Sequence, residues 1–73
     1  MDPTRPLDAL QVMRDKRVIV ELKSGRQFDG VLKAFDIHIN TVLFDARELG
    51  VEGASHERLF LRGDSILLVT PKQ

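Results

Sequence analysis

The sequence predicts a mostly β domain: a short N-terminal helix, then five short antiparallel strands forming a strongly bent sheet or small open barrel. Three observations lead there. Segments rich in β-branched and other apolar residues recur between turn signals along most of the chain. Only one stretch, near the N-terminus, has apolar residues at helical spacing. Gly30 falls in the middle of a strand of about ten residues, where it permits a sharp bend or bulge.

Pro6 suits the first turn of a helix, and Thr4 is a candidate N-cap. Leu7, Leu10 and Val12 or Met13 give an apolar stripe, so a helix is expected over about 5–13, packed on a sheet end. Residues 1–4 are expected to be loose. The first strand is placed at 17–23, where Val18, Val20 and Leu22 alternate with Ile19 and Glu21. Ser24-Gly25 makes a tight turn into an antiparallel second strand over 26–35, with Phe28, Gly30, Leu32 and Ala34 on one face. A third strand is expected from His38 to about Ala46, then a loop over 47–55 with Gly50 and Gly53. A fourth strand spans 57–61, Arg62-Gly63-Asp64 turns, and a fifth spans 65–70, stopped by Pro71.

Bulk composition narrows the function. Seventy-three residues make one domain, 1–73. A chain this short buries only about 60% of its unfolded surface. With no cysteine there is no disulfide frame, which leaves core packing or oligomerisation to stabilise it. No apolar run approaches the ~20 residues of a membrane span, and the N-terminus lacks signal-peptide character, so no membrane partner and a cytoplasmic location are expected. Eleven basic residues balance eleven acidic ones, which argues against broad electrostatic coating of nucleic acid but not against a local site. Leu59-Phe60-Leu61 and Ile66-Leu67-Leu68-Val69 are apolar on both faces. Exposed edges of that kind invite aggregation unless subunits pair, and pairing of unlike edges runs head-to-tail until a ring closes.

Asp36-Ile37-His38-Ile39-Asn40 alternates polar and apolar residues. Read at period two, Asp36, His38 and Asn40 share one side while Ile37 and Ile39 anchor the other. An acceptor, a flat ring and an amide in that arrangement can read the face and edge of a planar ligand.

Two motifs stand together: Gly25-Arg26-Gln27-Phe28-Asp29-Gly30 followed by Asp36-Ile37-His38-Ile39-Asn40, then an apolar strand, Arg62-Gly63-Asp64, and a second apolar strand. In this order, with Arg5-Pro6-Leu7-Asp8 opening the helix, they resemble the Sm and Sm-like (LSm) family, most closely its archaeal members, over residues 5–70. The resemblance implies a helix capping a bent five-stranded sheet. It also implies a homo-oligomeric ring, usually a heptamer, joined by the fourth strand of one subunit and the fifth of the next. It implies binding of single-stranded, uridine-rich RNA at the pore, within ribonucleoprotein complexes of RNA processing, turnover or chaperoning, and RNA-processing proteins as further partners. His38 and Asn40 would come from the first loop, and Arg62, Gly63 and Asp64 from the second. Thr41, where the pattern usually has an apolar residue, and the bulky Phe60 depart from it.

The expected mechanism stacks a uracil between His38 and Arg62, at roughly 1–3 kcal/mol per base, and lets the Asn40 amide discriminate. Asp36 and Asp64 would orient Asn40 or Arg62. Plainer readings stand beside these. His38 also reads as a simple turn residue, and Asn40 as the cap of a turn. Arg62-Gly63-Asp64 also reads as a bare hairpin turn whose glycine supplies a positive φ. Phe35 and Arg5 are a candidate outer RNA contact, although Phe35 also suits packing. No enzyme is expected and no cofactor: the two histidines, His38 and His56, lie in no catalytic context, and Asp36, His38 and Asp64 have no metal-motif spacing. The rival function is a structural ring scaffold acting mainly through protein partners.

Overall fold

The computed structural model describes residues 4–72. Over them run α1 (Pro6–Val12), β1 (Arg17–Leu22), β2 (Gln27–Phe35), β3 (Thr41–Glu48), β4 (Ser55–Leu61), a 3-10 turn (Gly63–Ser65) and β5 (Ile66–Pro71). The expectation for residues 1–4 therefore falls largely outside what is described.

Arg5, not Thr4, takes the cap position of α1, with φ −88 and ψ 135. Pro6 is the reason: the residue before a proline is excluded from the helical region, so the helix cannot begin earlier. The apolar stripe is also narrower than expected. Leu10 is buried and Met13 packs against the core, whereas Leu7 and Val12 are exposed.

All strand pairs are antiparallel, in the order β4-β3-β2-β1-β5. In β1 the expected alternation holds: Val18 and Val20 are buried. The bend lies where Gly30 was expected to allow it. The β2–β3 register shifts between Asp29 and Val31, and the extra residue on β3 is Asp45, at φ 51. A Cβ at Gly30 would stand 3.1 Å from the Leu43 Cβ and 3.2 Å from Ala46, so the absence of a side chain lets the two strands close. A second shift between Leu32 and Ala34 continues the curl.

The curled sheet and α1 enclose Leu10, Val18, Val20, Phe28, Leu32, Leu43, Ala46 and Leu61. The seven side chains larger than Ala46 contribute about 1.5–3 kcal/mol each on full burial, which makes a modest core. The two edge strands contribute little to it. β4 buries only Leu61, and β5 has no fully buried residue. Phe60 and Leu67 are 63% and 59% exposed. Pro71 ends β5 from within it, pairing with Val18, rather than stopping it from outside.

Candidate nucleic-acid interface

The β2–β3 connection is a turn, not the start of a strand: β3 begins at Thr41, three residues later than the alternating pattern suggested. Asp36 is the cause. Its Oδ1 accepts from the backbone N–H groups of His38 (2.8 Å) and Asn40 (3.1 Å), and its carbonyl accepts from the N–H of Ile39 at 3.0 Å. A side chain that bonds its own backbone two residues on folds a turn in place of a ladder. Period two therefore does not govern this stretch. Ile39 packs against the core, but Ile37 is 74% exposed and anchors nothing. Ile39 sits at φ 63, a left-handed conformation costing a β-branched residue about 1–3 kcal/mol. The Thr41 hydroxyl donates to the Ile39 carbonyl at 2.6 Å and helps hold it there. So Thr41, one of the two departures from the motif, has a structural task in the loop.

The second loop meets the first edge-on. Gly63 donates its N–H to Asn40 Oδ1 at 2.8 Å. A Cβ at Gly63 would lie 1.8 Å from the His38 carbonyl oxygen and 2.9 Å from the Ile39 carbonyl carbon. This glycine is required by close approach of two backbones. It is not among the glycines with positive φ, which overturns the plain reading that it supplies one. His38, Asn40, Arg62, Gly63 and Asp64 together line a concavity of about 450 Å³. Asp36 stands behind it: its Oδ2 accepts from Asn40 Nδ2 at 3.0 Å. The Asn40 amide, opposed by partial desolvation and aided by the N–H groups of His38 and Asn40, holds the Asp36 carboxyl below the usual carboxylate range. Arg62 and Asp64 approach at 3.5 Å with both side chains largely in solvent. Such a pair is worth about 0–1 kcal/mol and adds little to the stability of the fold.

The amide of Asn40 is thus gripped at both ends. Its oxygen is committed to an N–H donor and its nitrogen to a carboxylate, so it cannot rotate by half a turn without facing donor to donor and acceptor to acceptor. One amide hydrogen and one oxygen lone pair remain for a ligand.

Phe35 and Arg5 line adjoining concavities that share Leu7, Asp8 and Ile37. The Phe35 ring packs against the core beneath the Arg14 guanidinium at 5.6 Å, which is the packing role. Among the described residues no group of three His, Cys, Asp or Glu side chains is arranged to hold a metal ion.

One polar cluster has no sign in the sequence. Asp29 is fully buried on β2. It accepts from Arg17 Nη1 at 2.8 Å and from the Lys72 ammonium, with Arg47 at 3.9 Å. Burial pushes its carboxyl up, but the hydrogen bonds from Lys72 and Arg17 outweigh it and hold the group below the usual carboxylate range. Only the tertiary pairing of β1, β2 and the C-terminal residues brings these charges together.

A family model described as the LSM domain matches residues 8–71. The chain is 44% identical to an snRNP Sm-like protein of Archaeoglobus fulgidus, over 94% of this chain and 92% of the relative. Its fold superposes on a Pyrococcus abyssi Sm protein solved in complex with a uridine heptamer, with a TM-score of 0.87, 40% identity, and coverage of 93% of this chain and 99% of that one. A heptameric archaeal Sm protein gives a TM-score of 0.82 at 31% identity, covering 90% of this chain and 98% of that one.

Proposed function

Because the chain belongs to the LSM domain family, we propose that it binds single-stranded, uridine-rich RNA in the concavity between the Asp36–Asn40 loop and the Arg62–Asp64 turn, as one subunit of a heptameric ring. The observation that carries this reading is the fixed amide of Asn40. Its remaining hydrogen suits a ring carbonyl and its remaining lone pair suits an adjacent ring N–H, the pattern on the edge of uracil. Cytosine and adenine present the reverse pattern. In the pose that sets uracil's N3–H and O4 against the amide, they would need the amide turned over, which its hydrogen bonds to Asp36 and Gly63 oppose. Guanine shares part of uracil's pattern, but its second ring must fit between two loops already in contact. His38 and Arg62 line the same concavity and supply the faces for stacking.

The uridine heptamer bound by the Pyrococcus protein supports the ligand class, and the heptameric archaeal relative supports the ring. The fold is suited to the latter. β4 and β5 lie at opposite edges of one sheet, and both expose apolar side chains. One edge can take the other of the next subunit head-to-tail. Seven weak sites at fixed spacing then act on one strand, which raises affinity without further contacts and suits a chain of zero net charge. The reading assigns the protein no catalysis. It places the ring in ribonucleoprotein complexes of RNA processing, turnover or chaperoning, together with processing proteins.

The test is fluorescence anisotropy of a labelled oligo(U), competed with oligo(A) and oligo(C) at one salt concentration. Oligo(U) should resist competition by the others. Asn40→Ala should weaken it by about tenfold or more, the loss expected for one to two hydrogen bonds at ~1 kcal/mol each, while the assembly keeps its mass. Equal binding of all three oligomers would sink the uridine pocket and favour the protein scaffold.

A further inference from the structure

The peptide unit joining Ile39 to Asn40 aims the amide that reads the base, and the fold grips it from three directions. Its N–H, the backbone N–H of Asn40, donates to Asp36 Oδ1 at 3.1 Å. Its carbonyl accepts the Thr41 hydroxyl at 2.6 Å. Gly63 lies against it, with the Ile39 carbonyl carbon 2.9 Å from where a Cβ would stand. Thr41 is itself firmly seated. It is fully buried and opens β3, where its backbone pairs with Phe35 on β2 and with Leu61 on β4, the residue before Arg62. A side chain with no exposed surface touches no ligand, so any effect of Thr41 on RNA passes through the loop.

Ile39 gives the hydroxyl its task. At φ 63 a β-branched residue is an outlier, because its two Cβ substituents crowd the backbone in the left-handed region. Its side chain packs against the core, so it cannot swing outward to escape. Relaxing φ to a negative value would turn the Ile39–Asn40 peptide, draw its carbonyl off Thr41 and carry Asn40 away from Asp36 and Gly63. The hydrogen bond from Thr41 opposes that rotation. A threonine at 41, where the family pattern usually has an apolar residue, thus answers the branched residue at 39.

We propose that Thr41 is a positioning residue that sets base selectivity: its hydroxyl holds Ile39 in the left-handed conformation that presents the Asn40 amide to the uracil edge. The inference rests on the base-pocket reading above. The population of the competent loop enters the apparent affinity directly. Thr41→Val keeps the shape and removes the hydroxyl. It should weaken oligo(U) by about fivefold or more, the equivalent of one neutral hydrogen bond. Oligo(A) and oligo(C), which rely on stacking, should stay close to their parent affinities. No charge changes, so the dependence of binding on salt should not move. Thr41→Ser should restore the preference for oligo(U). Ile39→Leu is close in volume and unbranched at Cβ, so it relieves the strain. Thr41→Val added to it should cost less selectivity than Thr41→Val alone. A general loosening of the fold would instead weaken the three oligomers together.

An unchanged preference in Thr41→Val overturns the inference, and so does an equal loss for all three oligomers. The same loss of selectivity with isoleucine or leucine at 39 overturns it too. If Thr41→Val does not assemble, the double variant decides: assembly with the preference regained supports the coupling of the two residues, and no recovery overturns it. If the unaltered protein prefers oligo(U) and Thr41→Val keeps that preference, only the inference fails. If the unaltered protein shows no preference for oligo(U), the pocket reading falls and this inference with it.

Discussion

Gly63 joins the two halves of the site because any side chain there collides with the His38 carbonyl, 1.8 Å from where its Cβ would be. Gly63→Ala must push the loops apart and break the hydrogen bond to Asn40 Oδ1. We expect an overpacking cost of about 1–3 kcal/mol and loss of selective oligo(U) binding, with the sheet intact. Circular dichroism and anisotropy on the same sample check this. Selective binding retained at full strength would show that the loops need not touch. Asp36, His38, Asn40, Arg62, Gly63 and Asp64, which the structure brings together, stand in the sequence as two motifs. The role of the glycine was not legible there. A contact between residues 23 positions apart has no local signature, whereas a positive φ within one turn does, and the plain reading of Arg62-Gly63-Asp64 rested on the latter. The same limit hid the strain at Ile39. Alternation of apolar and polar residues describes a strand and this turn equally well, until the hydrogen bonds of Asp36 are seen.

At the scale of elements, Asp29 ties β2 to β1 through Arg17 and to the residue after β5 through Lys72. Its carboxyl is held below the ordinary value. The stabilisation it brings is therefore complete above the usual carboxylate range, about pH 4, and is lost as pH falls through the lower folded-state value. Asp29→Asn leaves Lys72 without its carboxylate, while Arg17 keeps its pair with Asp45. Arg17 and Lys72 are partly exposed and can rehydrate, so the cost should sit near the low end for a broken buried pair, about 3 kcal/mol. Tm should drop by roughly 12 °C or more, at ~4–8 °C per kcal/mol for a domain of this size. The variant should also lose stability less steeply below pH 4 than the parent. Parallel acid profiles for the two proteins would show that Asp29 does not titrate with folding. The strand framework itself was legible because β-branched alternation and turn residues are local. The charge cluster was not, because a strand aspartate ordinarily reads as solvent-facing.

At the scale of the whole molecule, the exposed apolar edges carry the consequence. Phe60 on β4 and Leu67 on β5 are the two most exposed large apolar side chains of the edge strands. If unlike edges join, Phe60→Asp should place an unpaired charge in every junction and lower the mass measured by light scattering toward that of a single chain. The monomer should be marginal, with a denaturation midpoint independent of protein concentration, whereas that of the assembled parent rises with concentration. A ring of unchanged mass and stability in Phe60→Asp would place this side chain outside the junction.

The sequence by itself determined the elements, the bend at Gly30 and the composition of the two loops. Each depends on residues near one another in the chain: spacing sets the period, glycine relaxes one strand, and Asp36 folds its own turn. Tertiary structure alone decided how Asn40 is gripped between Asp36 and Gly63, and how Asp29 is neutralised by Arg17 and Lys72. These depend on strand pairing across the sheet, where partners tens of residues apart meet at hydrogen-bond distance and only the closed fold sets which donor faces which acceptor.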